Sequence, residues 1–253
     1  GVGSFILIFI SFFSGFPRWF SFVLPMIGLY GCVNLIKEIT KEQLRNVSPV
    51  TWILLLIFAG WSSSAAKLPD EGLYYLQSIL WFKNFGLVPG LANFDFFLVQ
   101  SSAFHAWTAA LSSFSYEGFN DLGGFFALVF FWETLIKEKK TILFTLFSIF
   151  LVPLLILTTS ASADAILWIG IFVFTLRCYE KQEPQITSGW VLVGLILTKI
   201  SAFPLFVLLI PRIRIMNLRV LFVFVLGPLL HFFKSYRVSG ELFSPFGSFV
   251  SLD

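Results

Sequence analysis

The sequence predicts an all-α protein, a polytopic transmembrane bundle of about seven membrane-spanning helices plus one broken helical hairpin. Two observations predict this fold class. Of the 253 residues, 57% are hydrophobic and only 12% are charged, whereas a soluble domain has roughly 25% charged residues. The mean hydropathy is +0.88, and the apolar residues fall in long runs. We therefore expect one transmembrane domain over residues 1–253, lacking part of its sequence at one or both ends, and no soluble domain.

The individual spans follow from the apolar runs in chain order. A helix that crosses a bilayer needs about 20 mostly apolar residues. The runs that approach this length are 2–16, 19–36, 50–66, 119–136, 141–158, 164–179 and 217–234. Residues 187–210 are also apolar, but Lys199 and Pro204 interrupt them. That interruption favours a broken hairpin whose turn lies near Lys199.

The orientation follows from the positions of Lys and Arg, which concentrate in cytoplasmic loops. With the 37–49 loop in the cytoplasm and a hairpin at 187–210, most of the 17 Lys and Arg residues lie inside. A single span at 187–210 would instead place Arg212, Arg214 and Arg219 outside. The hairpin topology puts residues 67–118 on the outer, periplasmic face of a bacterial inner membrane.

The outer loop 67–118 is expected to contain two helices that lie in the membrane interface. Residues 73–85 and 101–114 are apolar but too short to be convincing spans. Trp81 and Trp107 fit the aromatic belt at the membrane surface.

Carboxylates on the outer face are the first candidates for chemistry. Asp70 and Glu71 open the outer loop, and Asp164 lies in the polar turn between two apolar runs. Two carboxylates on one side could activate an acceptor hydroxyl or hold a divalent cation, Mg²⁺ or Mn²⁺, with Asp70 as a ligand. The alternative for Asp70 and for Asp164 is a helix N-cap, which satisfies free backbone N–H groups.

Lys199 is the main cationic candidate. A lysine within an apolar segment is costly unless it faces a partner or water, so it could bind an anionic phosphate or carboxylate. The alternative is that its ammonium group snorkels to the outer interface. The full set of candidate substrate-binding residues is Glu71, Tyr74, Tyr75, Asn93, His105, Lys199 and Arg237.

Part of the outer loop resembles a group of poorly characterised multi-pass bacterial membrane proteins. The shared residues are Asp70 with Tyr74, the segment 88–93, and Ser101-Ser102 followed by Phe104. These proteins are in turn similar to the lipid-dependent glycosyltransferases of the GT-C fold. The resemblance covers roughly residues 50–250, and only residues 70–102 are specific.

The resemblance implies a transferase whose donor is a sugar on a polyprenyl phosphate. The acidic residue of the first outer loop would be Asp70, acting as base or as metal or acceptor ligand. Asp164 would be a second acidic site and Lys199 a phosphate contact. The chain differs from the group's pattern at Tyr75, where the group has His, and at Gln100, where it has Asn. The group's Arg, expected shortly after Gly90, is also absent.

Three functions remain open at this point. The first is a membrane glycosyltransferase that modifies a glycan, lipid or protein of the cell envelope. The second is a transporter or flippase of lipid-linked or anionic substrates, because broken membrane helices line such sites. The third is a non-catalytic membrane subunit that docks partner membrane proteins. The expected partners are thus the lipid bilayer, a polyprenyl-phosphate sugar donor and membrane proteins; the net charge of +3 is too small to indicate nucleic acid.

Overall fold

The structure of the protein is a computed structural model. It describes residues 2–17, 19–38, 71–94, 102–111, 162–180, 186–205 and 218–241, with a few isolated positions between these ranges. The predicted spans at 50–66, 119–136 and 141–158 therefore lie wholly or mostly outside the described residues.

Most of the described residues are helical, and none of them forms a strand. Their seven α-helices are α1 (Val2–Ser11), α2 (Phe20–Glu38), α3 (Leu76–Asn84), α4 (Ala103–Leu111), α5 (Ala163–Glu180), α6 (Ile186–Thr198) and α7 (Leu218–Ser239). A π-helical turn at Glu71–Tyr75 leads directly into α3, and a 3-10 turn follows it at Leu91–Asn93.

Helix α6 packs closely against α7, and the two helices run in the same direction. A Cβ on Gly189 of α6 would lie 3.0 Å from Val223 Cγ1, and one on Gly227 of α7 would lie 3.0 Å from Val193 Cα. Positions 189 and 193 thus advance along α6 as positions 223 and 227 advance along α7. Glycine at both contacts lets the backbones approach, as small residues do between membrane helices.

Helix α5 packs antiparallel to α6 on another side. Its Gly170 faces Leu195, while Asp164 at its start meets Lys199 just after the end of α6. A second core cluster is formed by Leu167, Phe174, Leu192, Ile196 and Phe224, which are all buried. The start of α5 and the end of α6 therefore lie at the same end of the helix group.

Helix α1 joins this group to α3 and α4. The Trp107 indole N–H on α4 donates a hydrogen bond to Ser4 Oγ at 3.1 Å. The Phe5 ring packs edge-on against Trp190 of α6, with a centroid separation of 6.0 Å. Buried Leu7 and Ile8 continue this contact into the main core.

The prediction of a seven-span bundle with a broken hairpin is wrong. Among the described residues, one helix, Leu218–Ser239, is long and apolar enough to cross a membrane. Shorter apolar helical stretches are Val2–Ser11 in the predicted span 2–16, Ala163–Phe172 in the predicted span 164–179 and Ser188–Thr198 in the predicted hairpin. The predicted span 2–16 is too long, because α1 ends at Ser11 and a turn follows it.

The helix ends at Thr198, beside the predicted interruption. Lys199 N–H still bonds to Leu195 O at 2.8 Å, and Ala202 N–H then bonds to Lys199 O at 3.1 Å. Residues 200–205 continue as 3-10 turns. Most of the returning arm that a hairpin would need lies outside the described residues.

The predicted interfacial helix at 101–114 is also wrong, because α4 is a core helix. All but two of its nine residues are buried, including His105 at 1% exposure. Alanines at 103, 106, 109 and 110 let neighbouring helices approach on several sides. An interfacial helix would keep one polar face in water.

Gly86 is required by the connection that follows α3. Its φ of +76° lies in the left-handed region, and an added Cβ would collide with the carbonyl oxygens of Ser11 and Ser14. Leu87 N–H donates to the same Ser11 carbonyl at 2.6 Å. This turn thus attaches the end of α3 to the end of α1.

We expect Gly86→Ala to lower the free energy of unfolding by more than about 2 kcal/mol. The left-handed backbone alone costs alanine about 1–2 kcal/mol, and the collision with carbonyl oxygens adds to it. Gly240→Ala is the matched control, because Gly240 has φ +79° but open space around a Cβ. Denaturant unfolding in detergent compares the two; equal losses would contradict the contact at Gly86.

Candidate functional site

An ion pair between Asp164 and Lys199 forms the centre of the candidate site. Lys199 Nζ donates a hydrogen bond to Asp164 Oδ1 at 2.6 Å. The two residues are 35 positions apart in sequence, and they meet because α5 and α6 are antiparallel. The side chains are 41% and 32% exposed. The pair is therefore open to solvent or to a ligand on one side.

Ser162 leaves the Asp164 carboxylate available for this pair. Its hydroxyl accepts a hydrogen bond from Asp164 N–H at 3.2 Å, which is the N-cap arrangement at the start of α5. The N-cap of α5 is therefore Ser162, and the Asp164 side chain is not needed for that role. The carboxylate of Asp164 stands in the first turn, where the helix dipole also favours a negative charge.

Tyr75 connects the ion pair to α3 and α4. Its phenol O–H donates a long hydrogen bond, 3.5 Å, to Ser162 Oγ. Its ring lies 5.3 Å from the imidazole of His105, centroid to centroid. Tyr75 itself is 4% exposed and sits at the junction between the π-helical turn and α3. We call Tyr75, His105, Ser162, Asp164 and Lys199 the polar cluster.

His105 is held in the polar cluster by a reciprocal cap with Ser102. Ser102 N–H donates to His105 Nδ1 at 3.2 Å, and His105 N–H donates to Ser102 Oγ at 3.3 Å. This is the geometry of a capping box, with an imidazole in place of the usual Glu or Gln. The start of α4 therefore sets the position of the imidazole.

The structure brings together four of the residues predicted from sequence, namely Tyr75, His105, Asp164 and Lys199. Tyr74 is adjacent, with its ring 4.4 Å from that of Tyr75. Glu71 begins the π-helical turn, and its side chain is not described. Asp70 lies outside the described residues, so its catalytic and metal-binding roles stay predictions.

Arg237 and Asn93 lie at a second position, around the turn after α3. The Arg237 guanidinium donates to Leu87 O at 3.4 Å and to Phe12 O at 3.5 Å. Asn93 N–H donates to Gly90 O at 3.0 Å, while Gly90 N–H donates to Arg237 O at 3.2 Å. In these contacts Arg237 fastens the end of α7 to backbone carbonyls of the turn and of residue 12.

The polar cluster does not fit a divalent cation. Its one carboxylate is paired with the Lys199 ammonium, and a cation there would meet a positive charge at the same oxygen. Among the described residues no group of three His, Cys, Asp or Glu side chains is placed to hold a metal ion. The chemistry available here is that of a carboxylate, an ammonium group, an imidazole and two hydroxyls.

Sequence reasoning missed two features of the site. The first is the cap that Ser102 forms at the start of α4, which a serine just before a helix start could have revealed. The second is a buried polar face on α7, formed by His231, Lys234 and Ser235, which are all at most 6% exposed. Their spacing of three and four residues places them on the same side of the helix as buried Gly227.

Comparison with known families gives a match over almost the whole chain. Residues 2–253 match the family model described as Domain of unknown function (DUF8201). No curated protein and no solved structure shows significant similarity to the chain.

We expect a double-mutant cycle on Asp164→Asn and Lys199→Met to give a coupling energy of about 1 kcal/mol or less in unfolding. Partly exposed ion pairs rarely contribute more, because water screens them and two long side chains lose freedom. Denaturant unfolding in detergent of the two single variants, the double variant and the parent measures the coupling. A value above about 2 kcal/mol would mean that the pair serves the fold.

Proposed function

The chain belongs to the family described as a domain of unknown function (DUF8201), and on that premise we propose from its polar cluster that it is a membrane transferase acting on a phosphate-bearing lipid donor. The observation that carries the proposal is the partly exposed Asp164–Lys199 pair, with a serine and a tyrosine hydroxyl beside it. A sugar carried on a polyprenyl phosphate is the donor class that agrees with the resemblance of residues 70–102. The proposed location is the outer side of a bacterial inner membrane.

The ion pair suggests how donor binding and chemistry are linked. Without substrate, Lys199 neutralises Asp164. A donor phosphate competes for the Lys199 ammonium, since charge-assisted bonds to phosphate oxygens are strong. Binding of the donor thus frees the Asp164 carboxylate, which can then accept a proton.

The transfer step follows from that exchange. The freed Asp164 takes the proton of an acceptor hydroxyl, as a general base. The hydroxyl oxygen forms a bond to the anomeric carbon of the sugar, while the bond from that carbon to the phosphate oxygen breaks. The phosphate leaves with the electron pair and is stabilised by Lys199. Tyr75 and Ser162 act as positioning residues at the start of α5, and no step requires a metal.

We expect Asp164→Asn to lower transfer at least about 100-fold, because a general base contributes 10²–10⁴-fold. Binding of polyprenyl phosphate should hold or tighten in this variant, since Lys199 no longer has an anionic partner. Lys199→Ala should weaken that binding roughly tenfold or more, through loss of one charge-assisted bond. The measurements are release of polyprenyl phosphate from a panel of polyprenyl-phosphate hexoses, with membrane extract as acceptor, and direct binding of polyprenyl phosphate.

Lys83→Ala is the matched control for the lost positive charge. Lys83 is a partly buried lysine in the last turn of α3. It therefore lies at the opposite end of α3 from Tyr75, the member of the polar cluster that precedes this helix. It should leave both readouts unchanged. Full transfer by Asp164→Asn would overturn the proposed base, and unaltered binding by Lys199→Ala would overturn the phosphate contact.

A second candidate function is transport of an anionic lipid, and the buried face of α7 favours it. Lys234 and His231 are buried inside the helix group, on a face of α7 whose other buried residues include Val223, Phe224 and Leu230. Ionisable groups in such positions occur along substrate and proton pathways. Movement of labelled polyprenyl phosphate across vesicles without any sugar donor, abolished by Lys234→Met, would favour this candidate over the transferase.

A further inference from the structure

Helix α7 has two faces of opposite character along its whole length. One face, through Val223, Gly227 and Lys234, is buried against the other helices. The opposite face is apolar and exposed, from 45% at Val225 to 80% at Leu218. Its members are Leu218, Phe222, Val225, Leu229, Phe233 and Tyr236, which we call the outer stripe.

The outer stripe is continuous. Its members follow one another at intervals of three or four residues, which places them in one line on the helix surface. A continuous apolar surface of this length on a protein marks contact with a membrane or with another protein. The question is which of the two covers it.

The charges at the ends of α7 favour a membrane. Arg219 and Arg237 are both exposed. Arg219 directly follows Leu218, the first residue of the outer stripe, and Arg237 directly follows Tyr236, the last one. Eighteen residues separate them, or about 27 Å at 1.5 Å per residue. That length is close to the roughly 30 Å of the hydrocarbon core, and Arg and Tyr are residues that anchor helix ends at its surfaces. Contact with a protein partner would not require the two arginines to be spaced by the thickness of a hydrocarbon core.

The packing of α6 on α7 then sets the depth of the polar cluster. The contacts pair Gly189 with Val223 and Val193 with Gly227, and the His231 imidazole bonds to the backbone of Ile196. Continued at the same rise, this register places Lys199 level with positions 233–234, near the Arg237 end. The ion pair therefore lies near one end of the outer stripe and far from its middle.

We propose that the outer stripe contacts lipid acyl chains, and that the Asp164–Lys199 pair consequently lies at the headgroup level of the membrane surface marked by Arg237. A headgroup phosphate reaches an ammonium group at that depth without leaving the interface. The proposal concerns position in the bilayer and holds whether or not the protein transfers a sugar.

Spin labels on the outer stripe test the lipid contact. Cys32 and Cys178 are first replaced by Ser, and single cysteines are placed at Leu218, Phe222, Val225, Leu229, Phe233 and Tyr236. In mixed phosphatidylcholine and phosphatidylglycerol vesicles, accessibility to oxygen should be highest at Val225 and Leu229. Accessibility to a water-soluble nickel chelate should rise toward both ends. Because all six positions are exposed, labelling should leave the helix intact, and circular dichroism of each variant checks this.

Two outcomes would overturn the lipid contact. High accessibility to the nickel chelate at Leu229 would mean that water covers the stripe. Low accessibility to both reagents at Leu229 would mean that protein covers it, and dipolar broadening between labels would identify a second copy of the chain.

A label at Ser201 tests the depth of the site. Ser201 is exposed and lies two residues after Lys199. Its label should report a depth close to that of the Tyr236 label. A depth equal to that of Leu229 would place the ion pair near the bilayer centre and overturn the headgroup assignment. Loss of transfer in Asp164→Asn leaves both label results unchanged, so the two proposals fail separately.

Discussion

The close contact between α6 and α7 is the constraint on which the rest of the arrangement depends. Glycines at 189 and 227 bring the two backbones together, and the parallel register carries Lys199 to the far end of α7. Because α5 and α6 are antiparallel, the first turn of α5 lies beside the end of α6, and Asp164 contacts Lys199 there. A larger side chain at either glycine would separate the helices and displace the cation of the pair. The chemistry at one end is therefore set by packing near the middle.

The ion pair offsets the free energy of placing the Asp164 carboxylate beside apolar helices. A lone Asp or Lys beside apolar helices would need water or a ligand as its partner. Paired at 2.6 Å, each charge satisfies the other. The surrounding hydroxyls of Ser162 and Tyr75 keep the pair in a polar setting on one side. In the structure Lys199 and Asp164 therefore neutralise each other beside these two hydroxyls.

Sequence reasoning reached the helices and part of the site, and failed where tertiary packing decides. The apolar runs at 2–16, 19–36, 164–179 and 217–234 each overlap a described helix, because local periodicity and breakers control helix formation. The number of spans was wrong, since an apolar run shows neither where a helix ends, as α1 does at Ser11 within the run 2–16, nor whether the helix is packed in a core. Helix α4 was assigned to the interface because it is short and apolar, yet its alanines place it in the core. Asp164 and Lys199 were found because charges stand out in apolar sequence; that they pair depends on the antiparallel contact of α5 and α6.

The cap shared by Ser102 and His105 has a consequence for the tautomer of the imidazole. Since Nδ1 accepts the Ser102 amide proton, the ring must carry its own hydrogen on Nε2. Adding a second proton would set two N–H groups facing each other and open the first turn of α4. The same ring lies against Tyr75, so such a change would also displace the Tyr75 hydroxyl that contacts Ser162. A backbone amide thus selects one neutral form of the imidazole and links the integrity of a helix end to the state of the polar cluster.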